Sequence, residues 1–275
     1  MSKIYSGLTS ATAEKLILDV GAYFKNYIIG TDTFESAVAA GKLLGATRGG
    51  GSFTAIPEIK PIEVDGAPDN TKGLMRIIRF DVKIAAQLLE ISAETLAATL
   101  AAGRTDKTTN AIYEIITGSN RLELTDYVDN ITWVGTLSGT AEPVIIQIYN
   151  ALNMQGLTLN TTNKDEVVTA IEFTGNYAPD DLESPPFVIY YPKRQGKILG
   201  VVKDDGVVQE GANVTVTAGT KTITDTTNGL GEFLLTGVPY GTYTVTATKE
   251  SKTGTATDVV VQGGQTTEVA DIAIA

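Results

Sequence analysis

Three short stretches of this 275-residue chain set chemically useful groups side by side. The first, "LLGATRGGGSF" at 43–53, holds four glycines with Arg48 and Ser52, the ingredients of a loop that cradles phosphate with backbone N–H groups. The second, Asp180-Asp181-Leu182-Glu183, and the third, Asp204-Asp205-Gly206, each offer adjacent carboxylates, the groups that cleave glycosides or ligate calcium. Each fails a test of spacing. A phosphate loop needs GxxxxGK[ST] opening a helix, but no lysine follows these glycines and the next segment, "SFTAIPEI", has the β-branched and aromatic make-up of a strand. GxGxxG fails for the same reason, so the glycines predict a tight strand-to-strand connection in which Gly49 to Gly51 take positive φ angles. Asp204-Asp205-Gly206 has no EF-hand spacing behind it and predicts a hairpin turn. One loop rarely supplies both carboxylates of a glycosidase, so 180–183 predicts a solvated loop before the "SPP" bend.

Composition narrows the chemistry further. The chain has no histidine and no cysteine. That removes His-based triads, HExxH zinc sites, Cys nucleophiles, iron–sulfur clusters and disulfides together. An enzyme built from the remainder would rely on Asp, Glu, Lys, Ser or Tyr, and no arrangement of them stands out; the expectation is no enzyme, no catalytic residue, no cofactor and no metal. The net charge of −11 argues against a surface that grips nucleic-acid phosphates. No apolar stretch approaches the roughly 20 residues of a membrane helix, and Met1-Ser2-Lys3 leads into no signal-peptide core, so a cytoplasmically made protein with no membrane partner is expected.

The elements that would position any site are mostly strands. "MRIIRFDVKI" alternates, with Ile78, Phe80, Val82 and Ile84 on one face and Arg79, Asp81 and Lys83 on the other. Val167, Ile171 and Phe173 share a face in "VVTAIEFTGNY", as do Ile131, Trp133 and Leu137 in "NITWVGTL". One helix is expected over "SAETLAATLAAG", capped by Ser92, with Leu96 and Leu100 one turn apart and Gly103 ending it. A shorter one over "TFESAVAAG" would close at Gly41. Around "YYPKRQGKILG" the character changes, and a linker is expected near Pro192 to Gly196. It separates a domain of residues 1–193, with 15 basic and 23 acidic groups, from one of residues 194–275, with 6 and 9.

The run "GKLLGATRGGGSFTAIPEIKPIEVDGAPDNTKGLMRIIRFDVKIAAQLLEIS" resembles the major tail tube proteins of tailed bacteriophages. So does the later "AEPVIIQIYNALNMQGLTLNTTNKDEVVTAIEFTGNYAPDD", which a "PF" strand, Pro186-Phe187, follows; the likeness covers nearly all of residues 1–193. The resemblance implies a β-barrel or sandwich domain with a flanking helix. It further implies six subunits paired by their strands into a closed ring, with rings stacked into a tube that conducts DNA. The glycine loop would then serve close approach to a neighbouring subunit. DNA would be passing cargo without specific binding, and an acidic wall repels it. Glu58, Glu63, Asp65, Asp69, Asp81 and Glu172 are open to either a lumen wall or a solvated outer surface. Other partners implied are the tape measure, the tail terminator and the baseplate or tip, with the virion tail as the final location.

Residues 197–275 alternate in "ANVTVTA" and "TYTVTAT", with Val214, Val216, Tyr243 and Val245 inward, and turn signals fall at "KDDG", "TNGLG", "VPYG" and "QGG". This predicts a β-sandwich. Its order resembles the carboxypeptidase-regulatory-like or transthyretin-like Ig-type domains. Related domains carry a lysine crosslink, but "TYTVTAT" lacks the glutamate often placed nearby, so Lys197 is expected to be free of one. Trp133 and the eleven tyrosines predict core or interface.

Two functions therefore remain. One is a phage tail tube subunit decorated outside by an Ig-like domain, in a non-contractile tail, since such a domain would obstruct a sliding sheath; the decoration would steady the tube or touch host glycans weakly through 194–275. The other is a secreted or surface-exposed bacterial binding module or adhesin of two β domains, which the missing signal peptide and anchor disfavour.

Overall fold

A computed structural model describes residues 7–9, 12–140, 142–161 and 163–275. Met1-Ser2-Lys3 lies outside the described residues. The chain is mostly β and forms two compact units. One comprises Leu18–Thr136 with Val144–Tyr190; the other comprises the described residues of Met1–Ile17, Leu137–Pro143 and Tyr191–Ala275.

The first unit carries strands β1 (Ile17–Lys25), β2 (Thr47–Pro61), β3 (Met75–Leu88), β4 (Gly103–Asp106), β5 (Ile115–Gly118), β6 (Val128–Leu137), β7 (Val144–Asn153), β8 (Leu159–Asn160), β9 (Val168–Thr174) and β10 (Phe187–Tyr190). Its helices are α1 (Phe34–Ala39) and α2 (Ala93–Thr99). One sheet runs β1-β6-β7-β9-β3-β2, with β10 beside β7 and β8 beside β9; β4 and β5 make a separate hairpin. Alternation along β3 drives Val82, Ile84, Ala86 and Leu88 into a core with Tyr23, Ile131, Ile148, Ile171 and Phe173. Burying each such aliphatic or aromatic side chain contributes roughly 1.5–3 kcal/mol.

Both expected helices form, with different packing. Thr33 caps α1 in a reciprocal capping box with Ser36, and Gly41 closes it at φ +68°. Ser92 caps α2, but the helix ends at Leu100, and Gly103 instead opens β4. The buried positions are Thr95 and Thr99, not Leu96 and Leu100. Their hydroxyls are satisfied inside, Thr95 Oγ1 donating to the Leu44 carbonyl and Thr99 Oγ1 to that of Leu96, so burial costs little.

The second unit contains β11 (Gln195–Asp204), β12 (Val207–Val208), β13 (Asn213–Ala218), β14 (Lys221–Thr226), β15 (Glu232–Pro239), β16 (Gly241–Lys249), β17 (Lys252–Val261), β18 (Thr266–Glu268) and β19 (Ile272–Ala273). One sheet is β12-β11-β15 with β18 and β19 parallel to β11; the other is β14-β13-β16-β17. Between them lies one core of Ile198, Val202, Phe233, Leu235, Val214, Val216, Val245, Val261 and Ile272, as the alternation predicts. The units divide between Tyr190 and Tyr191, just ahead of the linker expected near Pro192 to Gly196, and that linker is shorter than expected because β11 already begins at Gln195.

Candidate interaction surface

The glycine stretch is where expectation and structure part first. Gly49 and Gly50 do take positive φ, at +92° and +78°, yet they lie inside β2, not between two strands. The β2–β3 register slips between Thr47 and Gly51, so the extra residues form a bulge that turns the strand. Gly51 has ordinary φ but no space: a Cβ there would run into the Ala85 carbonyl oxygen and the Tyr23 hydroxyl. Arg48 is held by Asp165 at 3.0 Å and Glu166 at 2.9 Å, which raises its pKa and lowers that of Asp165. The only cation of the stretch is thus paired to carboxylates.

The paired acids are also accounted for. Asp204 accepts from Lys252 at 2.5 Å, and Asp205 and Gly206 take positive φ, +49° and +81°, in the two-residue turn between β11 and β12. Asp181 turns inward on its own loop, accepting from the N–H of Glu183 at 3.3 Å and Ser184 at 3.1 Å. A hydrogen bond from the Ser184 side chain, with those backbone bonds, depresses its pKa. Lys197 is exposed. Among the described residues no three Asp or Glu side chains gather as a metal site.

The feature that stands apart is the outer part of the β2–β3 hairpin. Beyond Ala55 and Val82 the two strands leave the core, and every residue from Ile56 to Pro61 and from Met75 to Arg79 is exposed. Ile59 and Ile77 face each other across the ladder, with Pro61 and Met75 next in register; Ile59 is 54% exposed. On the other face Lys60 stands directly opposite Arg76, flanked by Ile62 and Ile78, around a shallow concavity that Pro61 and Glu63 complete. Ile78, expected on the buried side of its strand, is exposed because the strand has left the core by then. A two-stranded ribbon with no core is marginal in water, and like charges set opposite each other weaken it further. The arm thus combines exposed apolar side chains with two opposed cations.

β2 is also an edge strand, the usual site of uncontrolled pairing. Pro57 and Pro61 remove two N–H donors from it. The arm therefore offers side-chain faces more readily than a ladder.

Of the acids singled out as wall or surface, Glu58 pairs with Arg79 on the arm at 2.7 Å, and Glu172 pairs with Lys83 at 3.0 Å and accepts from Gln155 at 2.9 Å. Both bonds depress the Glu172 pKa, Gln155 most. Asp65 and Asp69 lie in the exposed connection at the arm's far end, and Asp81 is exposed at its base.

Sequence reading missed a buried polar cluster. Gln147, 4% exposed, donates from Nε2 to the Tyr27 carbonyl and the Thr132 hydroxyl, each at 2.9 Å; Asn130 joins it by accepting from Tyr27 N–H at 3.0 Å. The cluster fixes where the chain leaves β1. A glutamine inside the apolar run "VIIQIYNAL" was its one visible signal.

The second unit offers a self-contained contact set. Glu14 pairs with Arg194 at 2.5 Å, Glu142 pairs with Lys221, and Leu16 and Ser138 exchange hydrogen bonds at 2.9 Å. Two facing antiparallel-rich sheets around one core define an Ig-type sandwich. Residues 197–275 match the family model of the carboxypeptidase regulatory-like domain, and the sandwich is a domain of that kind. No curated protein matches the chain. Among solved structures it is similar to a chain of a type II cohesin–X-dockerin complex from Acetivibrio cellulolyticus, at 26% identity over 29% of this chain and 56% of that one, with a TM-score of 0.24. It is also similar to the Bacillus anthracis TIE protein, at 13% identity over 85% and 35% of the two chains and a TM-score of 0.24. A third is BcpA, the major pilin subunit of Bacillus cereus, at 11% identity, 80% and 95% coverage and a TM-score of 0.22. The matched part is thus 56% of the first of these chains and 35% of the second.

Proposed function

We propose that this protein is a self-assembling structural subunit, a phage tail tube protein whose first unit builds stacked rings and whose Ig-type sandwich decorates the outside. The single observation that carries it is the arm: an exposed ribbon lined by Ile56, Ile59, Met75, Ile77 and Ile78, whose apolar faces the chain itself leaves uncovered. The sheet also ends in β1 and in the part of β2 that precedes Pro57, and closing a sheet across copies removes such edges. The resemblance of residues 1–193 supplies the finer terms: six subunits to a ring, a long non-contractile tail, DNA as unbound cargo, and assembly in the host cytoplasm into the virion. No enzymatic step is part of this role. Negative-stain electron microscopy of the full-length protein at high concentration tests it. Hollow tubes or rings with regular outer knobs are expected; small uniform particles at every concentration and after long incubation overturn it.

A second reading has its own support in the family match of residues 197–275: a surface-exposed bacterial binding module of two β domains, in which the sandwich meets the ligand. Uniform small particles in the microscope, together with retention on glycan arrays, favour this reading over the first.

A further inference from the structure

The exposed arm has one face whose chemistry names its partner. Lys60 and Arg76 are directly opposed across the β2–β3 ladder, and among the described residues neither has a carboxylate within 4.0 Å. In a chain of net charge −11 these two cations, set opposite each other on one ribbon without an acid partner, make a local positive spot. Ile62 and Ile78 flank it and Glu63 stands at its margin; with two cations to that one acid, the concavity suits an apolar side chain bracketed by acids.

The loop at 179–185 has that composition. It is exposed throughout, and Leu182 projects at 70% exposure between Asp180 and Glu183. Asp181 is spent on the Glu183 and Ser184 N–H groups, and an isolated bridge joins Ala178 to Asp181, so the loop is held in shape while its outer carboxylates stay free. We propose that the arm of one copy docks on the 179–185 loop of a second copy, Lys60 and Arg76 against Asp180 and Glu183, with Leu182 between Ile62 and Ile78. The proposal rests on the self-assembly reading and names its contact. Within one chain the loop is rooted at the base of the arm, where Phe80 N–H donates to the Tyr177 hydroxyl at 2.8 Å. Arg76 is four residues further out, about 13 Å along the strand. Because arm and loop are different surfaces, the contact is head-to-tail, and a head-to-tail contact that does not close propagates without limit. Both partners are polar and exposed, so salt screens the attraction over about 10 Å.

The chain's lack of cysteine gives a clean test. Full-length Ile78→Cys is mixed with full-length Leu182→Cys under mild oxidation, and disulfide-linked dimer is read on non-reducing gels. The mixture is expected to crosslink, each variant alone much less, and added salt to suppress it. Adding Lys60→Glu and Arg76→Glu to the first chain is expected to cut crosslinking at least about tenfold, and Asp180→Lys with Glu183→Lys on the second chain to restore it. Unchanged melting temperatures verify that these surface variants fold. Equal crosslinking in mixture and single variants, or none, or indifference to charge reversal, overturns the docking. Microscopy of the unaltered protein judges the tube reading separately. Tubes without this crosslink leave that reading standing and remove the docking; the crosslink without tubes does the reverse.

Discussion

In the Ig-type sandwich, Val214 and Val216 of β13 are fully buried while Thr215 and Thr217 between and beside them reach the surface. In the first unit, β3 follows the same alternation through Val82, Ile84, Ala86 and Leu88, then runs outward into Met75, Ile77 and Ile78 with nothing of its own to cover them. The sandwich also finishes its edges: Leu234 N–H of β15 is taken by the Asp225 carboxylate at 2.6 Å, and Asp258 sits at φ +57° where β17 slips register against β16. Period-two patterning thus says that a face wants burial, and only the tertiary structure says whether its own chain supplies the cover. One unit covers its own strands; the other leaves its arm exposed.

The sharpest way to break this contrast is inside the sandwich. Phe233→Ala empties a fully buried site and is expected to cost roughly 3–5 kcal/mol. Calorimetry should show the sandwich's unfolding step lowered while that of the first unit keeps its place. A common shift of both steps would mean that the units do not melt separately. Next in size is Gly51→Ala, whose added carbon meets the Ala85 carbonyl oxygen and the Tyr23 hydroxyl; moving that backbone is expected to cost about 1–3 kcal/mol, read as a lower first-unit transition. Gln147→Ala removes the donor to the Thr132 hydroxyl and leaves the Tyr27 carbonyl only its bond from Asn130, an expected loss of about 1–3 kcal/mol in the same transition.

Ile59→Thr with Ile77→Thr is the inverse case. Stability is expected to move by less than about 0.5 kcal/mol at such exposed positions, while self-association measured by analytical ultracentrifugation drops sharply. A loss of stability without a change in association would show that the arm's isoleucines serve the fold.

Acid supplies the mildest probe. In the first unit the Asp126 carboxyl is held below its ordinary value chiefly by Arg104, Asp32 by Lys42, and Glu94 by Lys25. Carboxylates depressed in the native state add stability that is fully present above their unfolded value, about 4, and lost as pH falls through the native value. The first unit's transition should therefore fall more steeply below pH 4 in circular dichroism, and Asp126→Asn should flatten that slope.

Much of the fold was legible because strand faces repeat every two residues: spacing alone picked out Val82 and Ile84 of β3, Ile171 and Phe173 of β9, Val214 and Val216 of β13 and Val245 of β16 as buried, though it also put Ile78 on the buried face. Three things were not. Thr95 and Thr99 displaced Leu96 and Leu100 on the buried side of α2 because their hydroxyls found carbonyls, a partner that sequence does not display. Gly49 to Gly51 looked like a turn since positive φ suits turns and bulges alike. And the arm looked like ordinary strand, although Ile56, Ile59 and Ile62 recur every three residues and so cannot share one face of a pleat.

Pro57 and Pro61 also bear on how the molecule behaves when crowded. A long apolar ribbon with a free edge is the usual seed of amyloid. With two N–H groups missing from that edge, neighbouring copies meet no continuous backbone template on which to zip together. The prolines act as a safety catch against runaway strand pairing, and they leave the side-chain faces of the arm untouched.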